Sequence, residues 1–367
     1  MDGSTRRAFL AATGAAALAG CAGLRSRGSE AGSTTASPTS TEAPTGPPLA
    51  EETLPLPMSP KKLRENVVSG GQPKDGIPAI DDPTFEPADA VGDRLSPDDP
   101  VFGLAHGDAV KAYPQPVLVW HEICNDVVDG DPISVTYCPL TGTVLGFDRG
   151  STTFGVSGRL LNSNLVMYDR ATERWWPQVL GTSIMGPWSD REVARSLRER
   201  RLVWTTWKRW RERHPDTEVL TRDTGYARNY GSDPYGAYTP RKGYYALRSG
   251  PFGDPLFPNE RFEPKRIVLG ARTPEGAAAF PKDVLRENGV MAGTIGDTPV
   301  VAIHDPGLDT GYVYRNPGER SFERSGDRIE GPEGTHAPDA LPLERVHTFD
   351  AMWFAWAGFY PETDVYV

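Results

Sequence analysis

The chain has 367 residues and a formal net charge of -10, with 10% aromatic residues. So acidic a balance excludes nucleic acid as a partner and excludes attachment to anionic lipid through the protein's own charge. Lys is scarce beside Arg, Asp and Glu, the balance expected of a salt-adapted organism such as a halophilic archaeon.

Arg6 and Arg7 precede Phe9, Leu10 and a run of Ala, Thr and Gly that ends at Cys21. The run is too short for a membrane span, which takes about 20 residues. A charged start, a short apolar middle and a small-residue end read as an export signal over residues 1–21. The paired arginines point to the twin-arginine route. Leu18-Ala19-Gly20-Cys21 is similar to a lipobox, with Cys21 as the lipidated residue. The expectation is a protein held by this lipid at the extracytoplasmic face of the cell membrane. Residues 22–50, rich in Ser, Thr, Pro and Gly, lack the apolar side chains that offset ordering entropy and read as a disordered tether.

Beyond the tether the chain reads as one unit written twice, over 51–250 and 251–367. Between Val101–Arg149 and Ile267–Arg315, Tyr113-Pro114 meets Phe280-Pro281, Pro132 meets Pro299, Cys138-Pro139 meets Asp305-Pro306 and Phe147 meets Tyr314. Each unit closes alike, WKRWRERHPDTEV from Trp207 matching WFAWAGFYPETDV from Trp353. The expected fold class is α+β and strand-rich, in two related units from an internal duplication.

Within the first unit, Val117–Ile123 reads as a short helix. Ile133–Tyr137 and Thr143–Phe147 read as a hairpin, with Cys138 at a solvent-side turn. Trp204, Trp207 and Trp210 recur at helical spacing, as a core stripe does.

Several motifs carry a resemblance. They are GIPAIDDPTF (76–85), AYP (112–114), WHEICND (120–126), TYCPLTGT (136–143), FGVSGRLLNSNLVMYDRATERWWPQ (154–178), HPDTEVL (214–220) and NYGSDPYGAY (229–238). Together they resemble the family called domain of unknown function 3179, over nearly the whole region beyond the tether. Its members often read Cys-Pro-Leu-Cys at the turn, where this chain has Thr141 in place of the second cysteine. The resemblance therefore implies no dithiol mechanism, since resolving a mixed disulfide takes a second thiol. The family usually has an aliphatic residue at Cys124, which implies that Cys124 is not a required ligand. A disulfide between Cys124 and Cys138 stays open.

Three kinds of chemistry fit the hairpin. In the main expectation it belongs to a ligand-binding or structural module, with Thr143 and Asn125 as polar contacts. Arg170 and Gln178 would touch a small molecule, a glycan or a protein, beside Trp175, Trp176, Tyr230, Tyr235 and Tyr238. In the second, His121 and Cys138 bind copper or zinc, with Cys124 on the same helix face as His121. In the third, Cys138 is a thiol nucleophile, His121 its base, and Asp126 or Asn125 the group that orients the base.

Overall fold

The computed structural model describes residues 45–187 and 195–367. The export signal, Cys21 and most of the tether lie outside the described residues. Residues Pro44–Val367 form one compact unit, strand-rich with few helices, none of them longer than seven residues among the described residues.

Two sheets of matching order build most of it. In one, Pro100–His106 lies between Val203–Thr206 and Ala109–Pro114, and Ala109–Pro114 pairs in parallel with Glu218–Leu220. In the other, Ile267–Thr273 lies between Thr348–Met352 and Gly276–Pro281, and Gly276–Pro281 pairs in parallel with Asp364–Val365. The helices Trp207–Arg213 and Trp353–Phe359 supply the connection that a parallel pair requires. Trp210 packs over Gly103 and Trp356 over Gly270. A Cβ on either glycine would lie 2.1 Å from the indole, so no larger residue fits without displacing the ring. Trp210 Nε1 donates to Thr217 Oγ1 and Trp356 Nε1 to Thr363 Oγ1, each at 3.0 Å.

Each of these sheets has a companion. Ile123–Val128, Asp131–Cys138 and Thr143–Asp148 form an antiparallel meander edged by Glu199–Arg200. Val290–Ile295, Thr298–Asp305 and Thr310–Arg315 form the other, edged by Arg345–Val346. The first meander divides two cores. Val135, Tyr137 and Val144 face one, while Cys138, Leu145 and Phe147 face the other, as period-2 alternation demands.

The halves are tied by two arginines that cross in opposite directions. Arg201 donates to Thr348 O (3.0 Å), Thr310 Oγ1 (3.1 Å) and Gly311 O (2.7 Å). Arg272, fully buried, reaches back to pair with Glu199 and to donate to Val179 O. His347 lies 3.7 Å from Glu199, and burial holds its pKa down to about 4, so it brings no charge to the pair at neutral pH.

The sequence reading needs correcting at three places. The helix expected over Val117–Ile123 is Gln115–Leu118. Glu122 N–H closes it on Leu118 O at 2.7 Å, and Glu122 then turns the chain at φ +58°. Ile123 already pairs with Thr136, so His121 lies in the turn and Cys124 in a strand, and they share no helix face. Trp207 and Trp210 are core residues, as their spacing predicts, but Trp204 belongs to the strand Val203–Thr206 and is only half-buried. Trp175 and Trp176 occupy the strand Trp175–Pro177 and are buried, which removes them from any exposed binding loop.

Arg272→Met should cost about 3–5 kcal/mol of stability, because it strands Glu199 as an uncompensated buried charge. Urea unfolding measures it, and a loss of less than about 1 kcal/mol, the size of a surface pair, would show that the cross-tie is not a fixed contact.

Candidate functional site

Cys138 is not at a solvent-side turn. It is 1% exposed, because three segments cover the tip of its hairpin. Met352 N–H donates to Thr141 O at 2.9 Å, and Tyr244 OH donates to Leu140 O at 2.9 Å. The Asn162-Ser163 turn takes the thiol itself, Cys138 Sγ to Ser163 O at 3.7 Å, while Leu165 N–H donates to the sulfur at 3.4 Å. Burial, and next the carboxyl of Glu122, push the thiol up to about 11. At neutral pH it is protonated, the opposite of the exposed thiolate that a reactive cysteine presents. Cys124 is also a free, buried thiol, so there is no disulfide between the two.

Beneath the turn lies a polar network with no exposed member. Thr143 Oγ1 and Asn164 Nδ2 donate to Gln178 Oε1 at 2.7 and 2.9 Å. Gln178 Nε2 donates to Thr136 Oγ1 at 2.9 Å, and Thr141 Oγ1 bonds Thr143 Oγ1 at 2.8 Å. Such a network, fully satisfied, fixes the hairpin against the strand Asn164–Asp169. Thr143 and Gln178 are its centre rather than the wall of a pocket.

His121 is not joined to Cys138 by a hydrogen bond. Its Nδ1 bonds Pro78 O (2.8 Å) and its Nε2 bonds Tyr230 OH (2.7 Å), and burial lowers its pKa, so it serves as a neutral bridge between loops. Asp126 instead receives Lys111 Nζ at 2.9 Å and Tyr113 OH at 2.7 Å. Asn125 accepts from Ser134 Oγ (2.6 Å) and from Phe154 N–H (3.0 Å). Arg170 is clamped on Asp81, both oxygens at 2.9 Å. Among the described residues no three His, Cys, Asp or Glu side chains gather as a metal set.

The neighbour that approaches Cys138 electrostatically is Glu122. Glu122 is 6% exposed, and desolvation pushes its pKa up to about 8. Close by, the Lys265 ammonium lies 3.1 Å over the Tyr244 ring and makes no hydrogen bond among the described residues. Burial pushes its pKa down to about 7.

The far side of the same turn opens on a cleft of about 430 Å³. Gly142 forms part of its wall. At φ +60°, with Met352 side-chain atoms 3.1 Å from where a Cβ would be, a larger residue at this position would be strained. The strand Val203–Thr206 contributes Trp204, and the ribbon Gly236–Tyr238 with Arg241–Gly243 contributes Tyr238 and Arg241. Trp204 and Tyr238 meet edge to face at 5.2 Å. The second half supplies three ion pairs, Arg266–Asp283, Lys282–Asp350 and Arg286–Asp309. Arg241 differs from these cations. Its Nη1 donates to Lys265 O at 3.0 Å, but Nε and Nη2 are buried without a partner among the described residues.

Residues 74–363 match the family described as a protein of unknown function, DUF3179. The chain belongs to this family. No curated protein and no solved structure matches it. In this DUF3179 member the family motifs surround the hairpin from all sides: TYCPLTGT forms it, GRLLNSN caps the thiol, and NYGSDPYGAY runs into the ribbon that carries Tyr238 to the cleft. Tyr238, one of the aromatics that the sequence marks out, lies on the cleft wall. Arg241 and Asp350 carry no such mark, since nothing local distinguishes one arginine or aspartate among 39 basic and 49 acidic residues.

Glu122 offers a pH test. Its folded pKa, about 8, stands above the ordinary 4.5, so between these values the folded state holds a proton that the unfolded state releases. That contribution to stability is complete below pH 4.5 and is lost as pH rises to 8. Glu122→Gln should therefore stabilise the protein increasingly across this window and by a constant amount above it. Urea unfolding at several pH values checks this, and a difference independent of pH would contradict it.

Proposed function

We propose that this DUF3179 member is an exported, lipid-anchored module that binds a small organic anion in the cleft beside the Cys138 hairpin. The observation that carries the reading is the cleft itself, walled by Trp204 and Tyr238, with Arg209 and Arg241 as lining cations whose guanidinium groups bond only backbone carbonyls among the described residues. A concave site with aromatic walls and a few convergent polar groups is the form that small-molecule sites take. A carboxylate is the partner that a guanidinium fork matches in geometry.

The extracytoplasmic address rests on Arg6, Arg7 and the sequence ending at Cys21, and the salt-adapted origin rests on composition. Descent of the two halves from one duplicated unit is supported by their equal strand orders. It is also supported by registers that keep step, Val101↔Pro114 with Val268↔Pro281 and Cys138↔Thr143 with Asp305↔Thr310. Only the first half carries a thiol at its turn, and the second uses Asp305 there. The raised pKa of Cys138 favours binding over thiol catalysis in this reading.

Native mass spectrometry of the full-length protein, taken from membranes in mild detergent, tests the proposal. The expected result is a co-purifying organic anion that Arg241→Met removes, and a membrane association that Cys21→Ser abolishes. A protein that carries nothing, and that no small carboxylate stabilises thermally, would overturn the binding assignment.

A further inference from the structure

The cleft adjoins a second hollow of about 530 Å³, and Asp98, Pro100, Tyr238 and Thr239 wall both. Asp98 and Thr239 are exposed, so the boundary between the hollows lies at the surface, where a chain can cross it. Along the second hollow runs the strand Gly236–Tyr238, which belongs to a ribbon of two strands and so has one bare edge. Across the two-residue turn, Tyr238↔Arg241 is the hydrogen-bonded kind of pair. Ala237↔Lys242 is then the other kind, and Ala237 turns its N–H and C=O outward. Gly236 and Ala237 have little side chain, so what they offer the hollow is backbone. A bare strand edge takes an extended peptide through main-chain hydrogen bonds.

Charge has a direction along the two hollows. In the cleft, Arg266, Lys282 and Arg286 are paired with Asp283, Asp350 and Asp309, while Arg209 and Arg241 have no carboxylate partner among the described residues. Arg209 is half-buried and bonds only Pro306 O and Gly307 O, at 2.5 and 3.0 Å. On the shared wall Asp98, and in the second hollow Asp99 and Asp233, have no cationic partner among the described residues. Asp99 accepts from Ser96 N–H at 2.8 Å, and Asp233 from Gln115 and Tyr245, all uncharged donors. Of the second hollow's arginines, Arg94 pairs with Glu86 and Arg222 donates to Arg94 O at 2.8 Å. The unmatched arginines 209, 241 and 222 therefore balance the unmatched aspartates 98, 99 and 233. The excess is positive at the cleft end and negative from the shared wall onward. A ligand that complements this is neutral overall, with an anionic and a cationic end held apart by a chain.

Resting on the ligand-binding reading above, we propose that the carboxylate taken by the cleft is the C-terminus of a short peptide that lies across both hollows. The carboxylate sits beside Arg209, the main chain pairs with Ala237, and the α-ammonium faces Asp98 and Asp99. The half-buried Trp204 ring gives the C-terminal side chain an apolar face. Arg241 and Asp233 act through their charge, since protein groups already enclose or occupy their polar atoms.

Isothermal titration of the full-length protein in detergent tests this with the peptides Ala-Ala-Phe and Ala-Ala-Ala-Phe as probes. The C-terminal amide removes the anionic end, N-acetylation removes the cationic end, and backbone N-methylation removes the strand pairing. Free phenylalanine keeps both charges without the chain between them. The expected result is binding of at least one peptide, with each of the four controls weaker by tenfold or more. Arg209→Gln should remove the preference for the acid over the amide. Asp98→Asn combined with Asp99→Asn, with unchanged circular dichroism, should remove the preference for the free over the acetylated N-terminus. Because the probe series is run on the unaltered protein, the result stands even if a variant does not fold. Any of the four controls binding as tightly as its parent peptide would overturn the proposal. Failure of both peptides, with another organic anion found on the protein by mass spectrometry and removed by Arg241→Met, would overturn the peptide class and leave the binding reading intact. Failure of both experiments would overturn both.

Discussion

The arrangement depends on an exchange of buried charge between its two halves. Arg201 leaves the end of the first meander and is spent on the backbone and hydroxyls of Thr310, Gly311 and Thr348, while Arg272 leaves the second half and is spent on Glu199 and Val179. Desolvating a guanidinium is costly unless its donors are met, so each arginine can be buried only if the opposite half is in place. The tie therefore specifies a docking geometry more than it adds stability. That geometry sets Gly142 and Trp204 of one half facing Lys282 and Asp350 of the other, and the cleft is the space left between them.

The same docking explains the burial of a turn that, alone, would be solvent-facing. Loop tips usually lie at the surface because backbone groups need partners there. Here the partners are protein: Met352 and Tyr244 satisfy Thr141 and Leu140, and the Asn162-Ser163 turn and Leu165 satisfy the thiol. Enclosure raises the pKa values of Cys138 and Glu122 and lowers that of Lys265. It leaves a neutral, rigid hairpin behind the cleft. Thr141, which stands where the family often has a second cysteine, joins the network of Thr143, Asn164 and Gln178 and holds the hairpin by hydrogen bonds.

Local pattern made part of this legible. The alternation in Ile133–Tyr137 and Thr143–Phe147 fixes a hairpin wherever it is placed, and the Trp207/Trp210 spacing before His214-Pro215 fixes a helix. The short helix before His121 was misjudged because its end is set by Glu122 at φ +58°, a conformation that no residue preference announces. His121 was a reasonable partner for Cys138 by chemistry, yet both its ring nitrogens were taken by Pro78 and Tyr230, contacts that span 43 and 109 residues of chain. Asp126 was claimed by Lys111 and Tyr113, and Arg170 by Asp81. Arg241 stands out only because its guanidinium, on the cleft wall, is met by a backbone carbonyl and no carboxylate, a property of the folded chain and not of any motif.

The central claim is that the cleft facing Gly142, Trp204 and Arg241 is where this protein meets its ligand. A crystal structure of the protein purified from its own cells, with no ligand added, tests it most directly. The account requires continuous organic density against the Trp204 ring, with an acidic group beside the Arg241 guanidinium. Ordered water alone in that space, with the Arg241 side chain turned onto a protein carboxylate, would contradict it.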